Sequence, residues 1–150
     1  MFLVPADLEN SMYGYQIDQI TDGNDDIVIE ALAAAEEETR SYLENNPAKK
    51  ESQDGRHIYD VALIFSRTGN DRNPLIKRHC VTIAKWHIVQ LCNADVIYEQ
   101  AKDRYDRAIS WLNKLSKGDL TLSSLPVKSF ETDETIQPFS FGSRTKFNHE

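Results

Sequence analysis

Residues 25–44 read DDIVIEALAAAEEETRSYLE, and the spacing within them decides the fold. Val28, Ala31, Leu32, Ala35, Thr39, Tyr42 and Leu43 recur at three- and four-residue intervals, the period of one buried helix face. Glu30, Glu36, Glu37 and Arg40 fall on the other face, where a solvated surface is expected. Asn24 stands where an N-cap belongs, and Asp25, Asp26 and Glu30 suit the positive end of the helix dipole. The small residues from Ala31 to Ala35 permit close approach of a second helix. Asn45-Asn-Pro47 ends the run, because the residue before a proline is pushed out of the helical region.

Upstream, Pro5-Ala-Asp-Leu-Glu-Asn10 predicts a short helix with proline in its first turn. Tyr15 to Ile20 predicts a second helical turn, and Thr21-Asp-Gly-Asn24 a break. Downstream, residues 47–56 are polar and unpatterned and predict a mobile loop. His57 to Ser66 is ambiguous. Its apolar residues Ile58, Val61, Ala62, Leu63, Ile64 and Phe65 fit a short buried helix or a strand, and helix is favoured because no partner strand is evident nearby. Thr68 to Asn73 is another break. Pro74 opens a helix that Asn73 is placed to cap, with Ile76, Cys80, Ile83, Ala84, His87, Ile88 and Leu91 on one face. A last helix runs from about Val96 to Lys117. Tyr98, Ala101, Tyr105, Ala108, Leu112 and Leu115 repeat along it as a packing seam, and Gly118 follows as a stop.

The expected architecture is all-α, a small bundle of four to five helices over residues 1–118, followed by an extended C-terminal arm over 119–150. The arm holds Pro126, Pro138, many Ser and Thr, and no helical period. It also keeps Leu120, Leu122, Leu125, Val127, Phe130, Ile136, Phe139, Phe141 and Phe147. Pure disorder is poorer in aromatics, so an arm that docks on its own domain or on a neighbouring copy is expected.

At 150 residues, 40% hydrophobic and 27% charged, the chain suits one compact domain and excludes a collagen-like or globally disordered class. Apolar runs such as Val61–Phe65 fall far short of a bilayer span. The opening Met-Phe-Leu-Val-Pro lacks the features of a secretory signal, so a soluble, intracellular protein is expected. Cys80 and Cys92 are twelve residues apart, roughly 18 Å on one helix, too far for a mutual disulfide. Two buried free thiols of a reducing compartment are expected.

The net charge of −7 hides a block pattern. Residues 1–54 carry 13 acids and 3 bases, residues 55–117 carry 6 acids and 11 bases, and residues 118–150 carry 5 acids and 3 bases. Two readings compete: solvated helix faces with no partner, or head-to-tail self-association of an acidic face with a basic one. Glu30 and Glu37 on one side, with Arg104 and Arg107 on the other, are the candidate subunit contacts. Sequence-specific nucleic-acid binding is disfavoured, because the basic residues are spread along helices and the acidic block repels phosphate.

No constellation points to catalysis, and no metal or cofactor is expected. Asp22-Gly-Asn-Asp-Asp26 resembles the start of a calcium loop, but Ile27 stands where glycine is needed and Ala33 where a bidentate Glu is needed. His79 and His87 are too far apart for one metal; His57 and His149 stand alone. Glu36-Glu-Glu38 point in different directions around a helix. Trp86, Trp111 and the tyrosines lie at helical spacing and read as core or interhelix contacts. There is no Gly-rich phosphate loop and no nucleophile–base pattern.

The order of elements carries a resemblance. Phe2-Leu-Val-Pro-Ala-Asp-Leu8 precedes Tyr15-Gln-Ile-Asp-Gln-Ile-Thr21, then an acidic cap and an Ala-rich helix ending Glu38-Thr-Arg-Ser-Tyr-Leu43. An Asn-Pro-opened helix follows, and then Arg104-Tyr105, Ala108-Ile109, Trp111-Leu112 and Gly118. Over residues 2–122 this resembles a Mu-like prophage protein family of unknown function, related to phage head-to-tail connector (adaptor) proteins. Phe139-Ser-Phe-Gly-Ser-Arg-Thr-Lys146 is also similar to the Gly-Ser-x-x-Lys endings of Bacteroides-type phage relatives. The loop at 47–56 and the arm after 122 depart from the shorter family pattern.

The resemblance implies a non-enzymatic virion structural protein, in the particle or the bacterial host cytoplasm. It implies rings of about twelve copies, with the portal protein and tail-completion proteins as partners and no membrane. The arm residues Phe139, Phe141, Arg144, Lys146 and Phe147 are the candidates for clasping a partner. The competing expectation is a small helical regulatory module or enzyme, with an acidic pocket near Glu36, Glu38 and the His79–His87 helix.

Overall fold

A computed structural model describes residues 1–44, 57–91 and 95–128, with backbone only at 95–97. Six α-helices follow one another: α1 (Ala6–Glu9), α2 (Gly14–Thr21), α3 (Asp25–Leu43), α4 (Val61–Ser66), α5 (Pro74–Val89) and α6 (Asp95–Lys117). Among the described residues there is no strand, only a lone antiparallel bridge between Tyr59 and Val127. α3, α5 and α6 pack on one another at the centre, and α1 and α2 lie against α5. The all-α bundle expected from periodicity is what the chain adopts. The polar loop at 47–56, Cys92 and the arm beyond Lys128 lie outside the described residues.

The helix ends are set by local chemistry. Asn24 Oδ1 accepts from the Asp26 amide at 3.0 Å. Asn73 Oδ1 accepts from the Leu75 and Ile76 amides at 3.0 and 3.1 Å, with Pro74 opening α5. Both satisfy amides that a helix start leaves orphaned. α6 closes on Gly118, whose φ of 83° only glycine adopts without strain. There the Asp119 amide reaches back to the Lys114 carbonyl at 2.9 Å and the Gly118 amide to Leu115 at 3.2 Å, a Schellman closure. The ambiguous stretch 57–66 divides at Asp60, whose Oδ1 accepts from the Leu63 amide at 3.0 Å and starts α4. Before it the chain is extended.

α3 buries Val28, Ala31, Leu32, Ala35, Thr39 and Leu43; α5 buries Ile76, Cys80, Ile83, Ala84 and Ile88; α6 buries Ala101, Ala108, Leu112 and Leu115. Fully burying a large aliphatic side chain such as Leu32, Ile83 or Leu112 contributes about 1.5–3 kcal/mol. Two seam residues depart from expectation. Leu91 is 58% exposed, because α5 stops at Val89 and the helical phase is lost beyond it. Tyr98 is exposed along one side and rests its ring on Trp86 at 5.0 Å. The first residues after α6 fold back on the bundle. The Lys128 amide donates to the Ile58 carbonyl and the Asp60 amide to the Pro126 carbonyl, each at 2.8 Å, and Leu125 is buried.

The N-terminal segment seals one end of the bundle. Phe2, Leu3 and Leu8 are fully buried, and Phe2 packs on Phe65 with ring centroids 4.9 Å apart. Asp7 holds the segment in place. Its carboxylate takes Arg72 Nη1 at 2.6 Å and Lys77 Nζ at 2.7 Å and caps its own turn through the Val4 amide at 2.9 Å. Arg72 Nη1 also donates to the Phe2 carbonyl at 2.7 Å.

Burial alone raises the Asp7 carboxyl, but the hydrogen bonds from Arg72 and Lys77 outweigh it and hold it at about 2. A depressed folded-state carboxylate stabilises above its unfolded-state pKa of about 4, and loses that contribution as pH falls through the folded value. Asp7→Asn is therefore expected to cost about 2–3 kcal/mol at neutral pH, with the gap to the unaltered protein closing between about pH 4 and pH 2. Urea unfolding across that range checks it.

Burial pushes the Cys80 thiol up to about 12, beyond what its contact with Thr39 Oγ1 at 3.3 Å can offset. Only the thiolate is nucleophilic. In native protein the Cys80 peptide should resist iodoacetamide, and react at the free-thiol rate once urea unfolds the bundle. Peptide mass mapping reads it separately from Cys92.

Candidate functional site

Two of the acids expected on a solvated face of α3 are turned inward. Glu36 is 8% exposed, and its Oε1 accepts from the Leu3 amide at 2.6 Å. Glu38 Oε2 meets His87 Nε2 at 3.0 Å, and its Oε1 accepts the Tyr105 hydroxyl at 2.6 Å. Burial and that hydrogen bond push the Tyr105 phenol above its ordinary range, so it stays a donor. Trp86 stacks on the Tyr105 ring at 5.5 Å. This cluster ties α3, α5 and α6 together. Both carboxylate oxygens of Glu38 are spent in it, and Glu36 holds the N-terminal segment. Of the acidic pocket expected near Glu36, Glu38 and the His79–His87 helix, the structure brings Glu38 and His87 together, while His79 is not part of the cluster.

The signal for Glu36 was present in the helical phase. It stands four residues after Leu32 and seven before Leu43, both fully or nearly fully buried, on the core arc of the helix. Nothing local pointed to Leu3 as its partner.

His79 lies about two turns before His87 along α5. It stacks on Trp111 with centroids 4.3 Å apart and planes 16° from parallel, and its buried Nε2 has no hydrogen-bond partner among the described residues. Burial, with the Arg78 charge beside it, pulls its pKa down to about 4, so the ring is neutral. The stack floors a groove of about 810 Å³ between α5 and α6. Leu75, Arg78, His79 and Thr82 line one wall, and Arg104, Arg107, Ala108 and Trp111 the other. Asp7, Asn10 and Ser11 border it.

The groove is cationic. Arg78, Arg104 and Arg107 are exposed. Arg107 makes a surface pair with Asp103 at 2.9 Å, a contact of small energetic weight. Among the described residues neither Arg78 nor Arg104 has an acid within ion-pair distance. Lys85, whose Nζ donates to the Ser11 carbonyl at 2.9 Å, has its pKa lowered by burial and then by the Arg104 charge. Asp7 adds no free negative charge, being neutralised by Arg72 and Lys77.

The outer face of α3 is the counterpart. Glu30, Glu37 and Glu44 are exposed and fall seven residues apart, along one stripe. Exposed Ala33, Ala34 and Ser41 lie among them, and Ile29 is 45% exposed beside Glu30. A shallow groove of about 450 Å³ runs along this face past Ala33, Glu37, Arg40 and Glu44. Arg40 folds over the Phe65 ring at 4.7 Å.

Glu30 and Glu37 thus stand together on one face, Arg104 and Arg107 on another, and the two pairs do not meet within the molecule. The arm residues Phe139, Phe141, Arg144, Lys146 and Phe147 lie outside the described residues. No described helix is long and apolar enough to cross a membrane.

Residues 3–136 match the family model described as Bacteriophage Mu, Gp36. The match begins at Leu3, inside the sealed N-terminal segment, and runs beyond Leu122, where the resemblance in the sequence had stopped. No curated protein and no solved structure matches the chain. With all six helices inside the matched span, the chain is a phage protein and belongs to the bacteriophage Mu Gp36 family.

Proposed function

We propose that the protein is a structural component of the phage particle, a head-to-tail connector (adaptor) that assembles as a ring between the portal and the tail. The observation that carries this reading is the pair of oppositely charged exposed faces on one small helical bundle, on which Glu30, Glu37, Arg78 and Arg104 have no ion-pair partner among the described residues. A copy that presents an acidic ridge on one side and a cationic groove on another is built for heterologous contact, and such contacts close into rings when the rotation allows. Membership of a phage family supports the setting.

In this role the chain performs no chemistry. The acids that an enzyme reading would recruit, Glu36 and Glu38, are engaged in holding the fold. The partners are further copies of the chain, the portal protein and tail-completion proteins. The place of work is the virion, reached from the host cytoplasm. The net charge of −7 suits a channel component past which DNA slides without sticking.

Purified particles and a portal-binding measurement test the reading. Mass spectrometry of intact virions should find the chain in fixed ratio to the portal protein, on the order of one copy per portal subunit. Sedimentation of the portal ring with added chain should show a heavier complex that weakens as salt rises. A chain absent from the virion, or one that leaves the portal's sedimentation unchanged at low salt, overturns the proposal.

A further inference from the structure

We infer that the groove between α5 and α6 is the receptor for the outer face of α3 of a second copy of this chain, with Glu30 and Glu37 of one copy meeting Arg104 and Arg107 of the next. The inference rests on the connector reading and names the contact that would build it.

The occupant follows from what the fold leaves unneutralised. Most charges that point inward find partners: Asp7 with Arg72 and Lys77, Glu38 with His87 and Tyr105. Among the charges left over, Glu30 and Glu37 share one exposed stripe of α3, and Arg78, Arg104 and Arg107 line one groove between α5 and α6. Each is the complement of the other in sign.

Shape agrees with charge. Glu30 and Glu37 are seven residues apart, about 10.5 Å along the helix. The α6 wall of the groove from Arg104 to Trp111 has that same length, and Arg104 and Arg107, three residues or about 4.5 Å apart along it, lie within the span and reach the two acids with long, flexible side chains. The ridge is narrow where it must enter, because Ala33 and Ala34 lie between the two acids. Small side chains let a helix settle between two others at ordinary interaxial distances of about 8–10 Å. The apolar parts also match. Ile29, Ala33 and Ala34 on the ridge face a floor made of Ala108 and the His79–Trp111 stack.

The contact joins two different faces of the molecule. On α5 the residues Ile76, Cys80 and Ile83 are buried in the core, and Cys80 touches α3 through Thr39. Leu75, Arg78, His79 and Thr82 line the groove instead. A copy therefore cannot place its own α3 ridge in its own groove, and the site stays open for a neighbour.

Two charge-reversed proteins test this: E30K/E37K, and R104E/R107E. All positions are exposed, so both variants should keep the far-UV spectrum and urea midpoint of the unaltered chain. Self-association is read by sedimentation of the full chain at low salt, alone and on portal rings. Each variant alone places like charge against like charge and should associate about tenfold or more weakly. Mixed in equal amounts, they should recover association within a fewfold of the unaltered chain and alternate in the assembly, because each ridge then meets an opposite groove.

If the unaltered chain assembles and both reversals leave assembly intact, or the mixture fails to recover it, the contact is wrong while the connector reading stands. If the unaltered chain assembles neither alone nor on the portal, the connector reading and this contact fall together. If R104E/R107E abolishes retention of double-stranded DNA and leaves self-association untouched, the groove serves nucleic acid and the inference is overturned.

Discussion

A helix of 19 residues carrying six carboxylates has to dispose of them, and the way α3 does so governs the rest of the molecule. Asp25 and Asp26 go to the first turn, where the helix dipole and the Asn24 cap favour them. Glu36 and Glu38 go inward, and each is matched: one by the Leu3 amide, the other by His87 and Tyr105. A buried carboxylate without such partners would cost several kcal/mol, roughly the margin by which a domain is stable. Glu30 and Glu37 go outward and are matched by nothing within the described fold. The same helix therefore nails the bundle together on one side and offers uncompensated charge on the other.

The inward acids also explain why the N-terminal segment belongs to the core. Leu3 donates its amide to Glu36, and Phe2 gives its carbonyl to Arg72. Asp7 then fixes Arg72 and Lys77 at the start of α5. These contacts join residues far apart in the chain, so the segment orders only when α3 and α5 are already in place. Phe2, Phe65 and Arg40 stack in sequence over the seam between them. A four-residue helix such as α1 has no stability of its own; this network supplies it.

Much of the scaffold was legible in the residues, because helices announce themselves by period and by their ends. Asn24, Asn73 with Pro74, and Gly118 each stood at a boundary the structure keeps within a residue or so. His57 to Ser66 was open because a short apolar run has no period of its own; Asp60 was the missed marker, a capping side chain three residues before the amide it takes. Periodicity tells which residues face inward but not what they meet there. The pairing of Glu38 with His87 and Tyr105, or of Asp7 with Arg72, spans the whole chain and leaves no local trace. The block pattern of charge was visible, yet part of it is consumed inside the molecule. Among the charges left at the surface of the described fold, Glu30 and Glu37 gather on one face and Arg78, Arg104 and Arg107 on another.

That remainder has the properties a reversible assembly contact requires. Exposed charge pairs are individually weak and screened by salt, so two copies in solution gain little from one such contact. An apolar patch of similar size would hold more firmly but would also bring free copies together before a template is present. In the proposed ring every copy makes the contact twice, and the last copy is held by both neighbours at once. Its second contact is intramolecular in effect, with an effective concentration far above that of free protein. Weak faces then yield a stable closed ring on the portal and little association away from it. In that proposed contact the small apolar floor of Trp111, His79 and Ala108 would set the register, since Ala33 and Ala34 would enter where a bulkier side chain holds helices apart. A protein that must remain single until it is needed is better served by charges that its own fold cannot satisfy than by a surface that sticks to anything.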